Sequence, residues 1–290
     1  MTGHTFYIVD VFAEDKYAGN QLAVFLNATS LTAEEMQRLA NEMHYSETTF
    51  ILSEEERNGG HDVRIFTPDA ELPFAGHPTL GTAYIIHQEF LKKSPREIRL
   101  NLGVGQIPVT LDENTDVLWM KQVEPGFLRS FRPEDIAHML GIEPADIDGP
   151  IREVSTGIPF VIVPLKSLAA AQRAYLDLRK YQAFFQGKEP EGVLVFCRET
   201  VEKDNDLHVR VFTRFPSVLE DPATGSGNGC LAAYLVKQRY FGSPKIDIRV
   251  EQGYEMGRPS RLYLRSKEEN GSIEVRVGGK VIPVAKGQLL

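Results

Sequence analysis

Two glycine-rich turns, each followed by an apolar helical segment, are the features of this sequence best suited to binding a small anion. The first turn is Phe74-Ala75-Gly76-His77-Pro78 and the second is Ala223-Thr224-Gly225-Ser226-Gly227. The start of a helix offers unpaired backbone N–H groups and the positive end of the helix dipole, and both can hold a carboxylate. Tight packing of turn against helix would explain the same glycines, so their spacing leaves binding and packing equally open.

Side chains able to move a proton lie beside both turns. His77 follows the first glycine, where the helix dipole disfavours a positive imidazolium and a neutral ring is therefore predicted. Asp221 precedes the second turn, and Ser226 lies within it. Packing or capping by His77 and N-capping by Asp221 are the structural alternatives. Glu47 falls within a predicted strand, and a solvated glutamate would be the ordinary interpretation there.

Several common chemistries are disfavoured. The sequence has no Gly-Lys-Ser or Gly-Lys-Thr for a phosphate-binding loop, and the turn at Gly225 lacks the spacing of a dinucleotide fingerprint. A nucleophile elbow needs glycine two residues before its serine, but Thr224 precedes Ser226 at that distance. Cys197 and Cys230 form no metal-ligand pattern, and isolated thiols of a cytosolic chain usually stay reduced. We therefore predict no zinc site and no disulfide, and nucleotide binding is disfavoured.

Composition and charge restrict the partners. With 42% hydrophobic and 25% charged residues, the chain has the composition of a soluble globular protein. It contains no apolar run of about 18 residues, and its N-terminus lacks the basic segment of a signal peptide, so a cytoplasmic location is predicted. A net charge of −8 without clustered lysine and arginine argues against nucleic acid. A small anionic substrate remains compatible with this charge.

The elements around the candidate residues occur twice. A capping box at Thr32-Ala33-Glu34-Glu35 predicts a helix to about His44, and Tyr45 to Leu52 alternates as a strand with Glu47 on the face of Tyr45 and Ile51. The segments from Ser155 to Val163 and from Val209 to Thr213 resemble Ser46 to Leu52 and Arg64 to Thr67. A second helix is predicted from Pro133 to Leu140. The pattern indicates an α+β fold of two similar halves, each a curved, mainly antiparallel sheet around one buried helix.

Five sequence blocks resemble the phenazine-biosynthesis isomerase family (PhzF-like proteins), a branch of the diaminopimelate-epimerase fold. They run in family order along essentially the whole chain: Gly19 to Phe25, Ser46 to Phe50, Phe66 to Pro68 with Glu71 to Pro78, Glu220 to Ser226, and Gln252-Gly253 with Gly257 to Ser260. The resemblance implies two pseudo-symmetric domains, residues 1–125 and 126–276, with about 277–290 packing back on the first and the active site in the cleft between them. It also implies a homodimer that acts without metal or coenzyme.

The resemblance further implies a proton shift on a small, cyclic or unsaturated carboxylic acid. Glu47 would be the principal acid and base, and three further side chains would line the proton path: His77, Asp221 and Ser226. Asn20, Gly76 and Gly225 would hold the substrate carboxylate or its ring. In the best-known member the substrate is trans-2,3-dihydro-3-hydroxyanthranilic acid.

Two other functions remain open at this stage. One is a catalytically idle binding protein for an anionic metabolite, since helix starts alone could bind the anion. The other is an epimerase or racemase of another small acid. Racemases of this fold use a cysteine from each half at the helix starts, whereas Cys197 and Cys230 lie elsewhere, which disfavours a two-thiol mechanism. Where this chain has Gly227-Asn228-Gly229, the family often has small residues such as alanine. This difference affects the shape of the pocket and therefore the prediction of the substrate.

Overall fold

The chain divides into two compact units in a computed structural model that describes residues 3–91, 96–215 and 218–289. Unit 1 comprises Met1–Met120 and Gly278–Leu290, and unit 2 comprises Lys121–Val277. Within the described ranges, no helix is long and apolar enough to cross a membrane. The mixture of strands and helices confirms the predicted α+β class.

Unit 1 has nine strands and two α-helices among its described residues. In chain order they are β1 Thr5–Val11, β2 Asn20–Phe25, α1 Ala33–Met43, β3 Glu47–Ile51, β4 His61–Phe66, β5 Glu71–Leu72, α2 Gly76–Glu89, β6 Glu97–Leu102, β7 Gly105–Asp112, β8 Val117–Lys121 and β18 Val281–Gln288. Neighbouring strands follow the order β18, β1, β2, β3, β4, β6, β7, β8, and β5 pairs with β4. The β2–β3 and β4–β6 pairs are parallel and the others antiparallel, so this sheet is mainly antiparallel.

Unit 2 has nine strands and four α-helices among its described residues. They are β9 Gly126–Phe131, α3 Pro133–Leu140, β10 Ile151–Ser155, β11 Pro159–Pro164, α4 Leu168–Arg173, α5 Leu178–Phe185, β12 Gly192–Cys197, β13 Leu207–Phe215, β14 Val218–Asp221, α6 Gly225–Lys237, β15 Lys245–Gln252, β16 Ser260–Glu269 and β17 Ser272–Gly279. Strands β9 to β13 pair in sequence, β13 also pairs with β14 and β15, and β15 pairs with β16. Here the parallel pairs are β11–β12 and β13–β15.

The two units repeat one pattern of strand pairing. In each unit, a helical crossover joins two strands that pair in parallel. The next strand pairs antiparallel with the second of them and forms a short hairpin with the strand after it. A buried helix then leads to a strand that pairs in parallel with the first strand of the hairpin. The pattern matches β2, β3, β4, β5, α2 and β6 with β11, β12, β13, β14, α6 and β15. The predicted match of Ser155–Val163 with Ser46–Leu52 is therefore wrong. That segment contains β11, which corresponds to β2 and not to β3. Because β11 and β3 are both apolar strands, their similar sequences concealed the helical crossover through α4 and α5 that follows β11.

The central helices α2 and α6 are buried on almost every side, as predicted for each half. Close packing in unit 1 depends on Gly81: a Cβ atom there would lie 2.6 Å from Leu22 Cδ2 and 2.9 Å from Val11 Cγ2. The absent side chain lets α2 approach β1 and β2, so the start of α2 is held at a fixed position relative to the sheet.

The predicted helix ends are confirmed in both units. Thr32 accepts a hydrogen bond from the Glu35 backbone while the Glu35 carboxylate accepts one from the Thr32 backbone, so the capping box is complete. Helix α3 begins with Pro133 and is capped after Leu140 by Gly141, whose φ of +62° lies in the left-handed region that favours glycine.

Candidate active site

Glu47 and His77 come together in unit 1. Glu47 is the first residue of β3, and His77 is the second residue of α2. Glu47 Oε2 lies 3.4 Å from His77 Nε2, and their side chains are 17% and 6% exposed. The β2–β3 pairing, which sets Glu47 beside Leu22, and the packing of α2 at Gly81 hold both residues on rigid elements. The site thus contains a carboxylate that solvent can reach and an almost enclosed imidazole.

His77 is neutral in the folded protein. Burial lowers its pKa to about 3, and a hydrogen bond with the Gln21 backbone opposes this shift only in part. The neutral ring agrees with the expectation from sequence, although the cause is desolvation rather than the helix dipole alone. The ring nitrogen facing Glu47 is Nε2, so the bond to the Gln21 backbone uses Nδ1. His77 therefore donates through Nδ1 and presents a lone pair at Nε2.

A lone pair and a carboxylate oxygen 3.4 Å apart repel each other unless a proton lies between them. The pair is therefore suited to a proton that Glu47 gains, because the protonated carboxyl group could donate to Nε2 of His77. When Glu47 gives up that proton, the neutral ring offers no competing positive charge. This arrangement can give a proton to a substrate and take one back.

The strand that carries Glu47 differs from the alternating pattern predicted for it. Strand β3 begins at Glu47, and Tyr45 lies before it, so the two residues do not share a strand face. The four residues after Glu47 are all buried, because β3 lies between β2 and β4 with helices packed on it. Glu47 owes its partial burial to its place at the strand end beside α2.

In unit 2, Asp221 lies at the end of β14 and accepts a hydrogen bond from Thr224. Thr224 Oγ1 donates to Asp221 Oδ2 at 2.5 Å. The N-cap residue of α6 is Thr224, which makes no side-chain capping bond, so the alternative of Asp221 as N-cap does not apply. Ser226 is the second residue of α6 and half-buried, and its backbone carbonyl accepts from Thr156 Oγ1 at 3.5 Å. The turn therefore gathers two of the predicted residues, Asp221 and Ser226.

Gln252, at the end of β15, is a residue whose importance the sequence did not reveal. It is fully buried, and its Nε2 donates to the Asp221 carbonyl at 2.7 Å and to Thr224 Oγ1 at 3.1 Å. Its Oε1 accepts from Asn228 Nδ2 at 2.8 Å and from the Thr224 backbone at 3.3 Å. Gln252-Gly253 was part of the family resemblance, but a glutamine following an apolar strand carries no signal of these contacts.

The residues predicted to hold the substrate occupy strand and helix starts. Asn20 is the first residue of β2, 2% exposed, and pairs with Val11 across the sheet. Gly76 and Gly225 are the first residues of α2 and α6. Their roles in substrate binding stay predictions, as does the meeting of both turns at one site.

Neither cysteine is suited to proton transfer. Both are buried and reduced, Cys197 in β12 and Cys230 within α6. Burial raises the pKa of Cys197 to about 12 and that of Cys230 to about 11, so both remain thiols at neutral pH. Two hydrogen-bonded contacts of Cys230, to Thr156 Oγ1 and the Ile158 carbonyl, are consistent with a packing role.

Comparison with known proteins gives one consistent family. A family model described as phenazine biosynthesis-like protein matches residues 9–287. A trans-2,3-dihydro-3-hydroxyanthranilate isomerase from Pseudomonas aeruginosa is 34% identical over 289 residues, covering 98% of this chain and 99% of the relative. An uncharacterized isomerase from Mesorhizobium japonicum is 33% identical over 304 residues, covering 100% and 99%. The crystal structure of a Bacillus anthracis phenazine biosynthesis protein of the PhzF family matches with a TM-score of 0.90 and 27% identity over the whole of both chains, which confirms the predicted fold.

Proposed function

Because the chain belongs to the phenazine biosynthesis-like protein family and is an isomerase, we propose that it shifts a proton between two carbons of a small carboxylic acid. The acid is cyclic or unsaturated, and Glu47 is both the acid and the base. The observation that carries this proposal is the contact of Glu47 with a neutral, buried His77 at 3.4 Å. A binding protein would have no use for that pair, since the start of α2 alone could hold an anion.

The proton shift needs no change of oxidation state. Glu47 takes a proton from an acidic C–H, and the electron pair of that bond spreads into the conjugated carboxylic acid. Glu47 then returns the proton to another carbon of the same system, and a new C–H bond forms there. His77 accepts a hydrogen bond from protonated Glu47 and so orients the carboxyl group between the two transfers. One carboxylate serves both steps, so no second base is required.

The substrate carboxylate is proposed to bind at the start of α2, where Gly76 lies, with Asn20 at the start of β2 as a further contact. The backbone N–H groups of the first helical turn and the helix dipole favour an anion there. Roles for Asp221, Ser226 and Gly225 of unit 2 rest on the family resemblance. A homodimer and a cytoplasmic location also remain predictions from the sequence.

The substrate named for the Pseudomonas aeruginosa relative, trans-2,3-dihydro-3-hydroxyanthranilate, is the first compound to test. Incubation in deuterium oxide, followed by mass spectrometry and NMR, should show an isomerised product with deuterium at the carbon that receives the proton. Partial retention of the original proton would indicate return by one carboxylate. If neither this acid nor a panel of cyclic and unsaturated carboxylic acids exchanges with solvent or isomerises, the proposal is wrong.

A further inference from the structure

The strand registers align the turns before α2 and α6 residue by residue. In unit 1, Ile65 pairs with Leu72 on the β4–β5 hairpin, and in unit 2, Val211 pairs with Asp221 on the β13–β14 hairpin. From these positions, the turns into α2 and α6 have the same length. Leu72 to His77 therefore corresponds to Asp221 to Ser226, and chemical differences between the turns can be assigned to single positions.

An arginine–glutamate clamp is common to both hairpins. Arg64 donates to both carboxylate oxygens of Glu71, at 2.7 and 2.6 Å. At the corresponding positions Arg210 donates to both carboxylate oxygens of Glu220, at 2.8 Å each. A bidentate arginine–carboxylate pair fixes direction as well as distance. The clamp therefore holds the residue just before each turn in the same place.

The second shared feature is a glycine that packs closely against the proline of each turn. A Cβ atom on Gly103 would lie 2.9 Å from Pro73 Cα, and one on Gly253 would lie 2.6 Å from the Pro222 carbonyl oxygen. Each glycine follows the strand that pairs in parallel with the first strand of the hairpin, which is β6 in unit 1 and β15 in unit 2. The framework of the two turns is thus the same in both units.

Against this shared framework, three apolar residues of unit 1 are polar in unit 2. The parallel registers pair Asp62 with Asn101 and His208 with Glu251, which makes the next residues, Leu102 and Gln252, equivalent. The three equivalent pairs are Leu72 with Asp221, Ala75 with Thr224, and Leu102 with Gln252. The three polar residues of unit 2 contact one another, so they form one hydrogen-bonded group.

The hydrogen bonds of this group run in one direction. The Gln252 amide is oriented by its Oε1, which accepts from Asn228 Nδ2 and the Thr224 backbone, so Nε2 must donate. Thr224 Oγ1 accepts from Nε2 at 3.1 Å and has one hydrogen, which it gives to Asp221 Oδ2 at 2.5 Å. Donation to the carboxylate favours the anionic form of Asp221 and fixes one of its oxygens.

We propose that Thr224 and Gln252 are positioning residues that hold Asp221 as an oriented anion for the reaction. This inference rests on the proposed function, in which Asp221 supports the proton transfer. Unit 1 needs neither residue, because its equivalent of Asp221 is Leu72. Thr224 acts on the carboxylate directly, and Gln252 acts through the Thr224 hydroxyl and the Asp221 carbonyl.

The first test follows the Asp221 carboxyl carbon by NMR titration, with its signal assigned from the spectrum of Asp221→Asn. Thr224→Val keeps the shape of the side chain and removes the hydroxyl. The titration midpoint of Asp221 should move up by about one pH unit, because a hydrogen bond to the anion is lost. Thr224→Ser keeps the hydroxyl and should restore the wild-type midpoint. This readout requires no substrate.

A matched control is Thr82→Val in unit 1, which removes another buried hydroxyl, hydrogen-bonded to Thr49 Oγ1 at 2.8 Å. It should lower thermal stability to a similar extent without moving the Asp221 midpoint. Gln252→Leu introduces the residue that unit 1 has at this position and should shift the midpoint in the same direction as Thr224→Val. An unchanged midpoint in folded Thr224→Val would overturn the proposal even if Gln252→Leu does not fold.

Kinetics separate this inference from the proposed function. With trans-2,3-dihydro-3-hydroxyanthranilate as the probe, Thr224→Val should lose about ten- to a hundredfold in kcat with little change in KM, and the acid limb of its pH profile should move upward. If Asp221→Asn is as active as wild type, Asp221 has no part in the reaction and the role given to its partners is wrong. If Asp221→Asn is inactive but Thr224→Val and Gln252→Leu match wild type in rate and pH profile, only the positioning role is wrong.

Discussion

In unit 1 the turn into the central helix carries a neutral imidazole beside a glutamate, whereas in unit 2 the same turn carries an aspartate bound by a threonine and a glutamine. The backbone framework of the two is alike, down to the arginine–glutamate clamp. The shared framework therefore fixes where side chains stand, and a few strand and turn positions decide what they can do. His77 corresponds to Ser226, and Glu47 corresponds to Gly192.

Two buried histidines show the same divergence in electrostatics. His77 meets one carboxylate and is neutral. His208, on β13, has Glu251 Oε1 2.8 Å from its Nδ1 and Glu255 Oε1 3.3 Å from its Nε2. Burial lowers the pKa of His208, but hydrogen bonds to these two glutamates outweigh it and raise the pKa to about 9. Burial favours the neutral form of both rings, and the hydrogen bonds to two carboxylates overcome it only in His208.

Glu47→Gln tests the proposed proton transfer in unit 1 most directly. Glutamine keeps the size of the side chain and can still bond to His77, but it cannot accept a proton. We expect turnover to fall by about a hundredfold or more, while affinity for the substrate stays close to that of wild type. Affinity and isomerisation rate should be measured on the same preparation.

The matched control is Glu56→Gln, which alters another histidine–glutamate contact of unit 1, where Glu56 Oε1 lies 4.0 Å from His61 Nε2. Its rate should equal that of wild type. A Glu47→Gln enzyme with nearly normal turnover of a verified substrate would move the base to His77 or Asp221.

The position equivalent to Glu47 in unit 2 cannot carry a side chain. A Cβ atom on Gly192 would lie 2.1 Å from the Phe212 carbonyl oxygen, and Phe212 belongs to the neighbouring strand β13. Gly192→Ala should therefore destabilise the fold by about 2–3 kcal/mol, since the backbone has to shift. Urea unfolding measures this loss of stability. The comparison variant is Gly187→Ala, because no atom lies within 4 Å of the added Cβ and φ is +81°. Its loss of stability therefore gives the cost of backbone conformation alone. A loss for Gly192→Ala no larger than that of the comparison variant would show that unit 2 could have kept a side chain there.

The charge of His208 predicts a distinct dependence of stability on pH. Its folded pKa of about 9 lies above the ordinary value of 6.5, so its stabilisation is complete below pH 6.5 and is lost as the pH rises through 9. We expect unfolding free energy to fall by about 2 kcal/mol over that interval, after allowing for the coupling of His208 to two glutamates. In His208→Gln the decline should be much smaller. A wild-type stability that is constant between pH 6.5 and 9.5 would mean that His208 is neutral.

Sequence reasoning recovered the local features that depend on neighbouring residues. The capping box at Thr32, the helix from Pro133 to Leu140 and the buried helices after Gly76 and Gly225 all follow from short-range patterns. Short-range patterns could not predict the contact of Glu47 with His77 or the contacts of Gln252, because these contacts join strands and helices that are far apart in sequence. The misplaced repeat had the same origin, since only strand pairing reveals that β11 corresponds to β2.

The smallest effects are expected from the two cysteines, both of which lie in unit 2. Cys197→Ala and Cys230→Ala, singly and together, should leave turnover within about twofold of wild type, because burial keeps the pKa of each thiol at about 11 or above. Cys230 is fully buried in α6 and Cys197 is fully buried in β12, so each replacement should cost about 1 kcal/mol of stability through lost packing. Rates and urea unfolding curves should be measured on the same preparations, so that loss of folded protein is not read as loss of catalysis. A drop of about a hundredfold in a folded variant, the size expected for removal of a general base, would show that a thiol of unit 2 takes part in proton transfer.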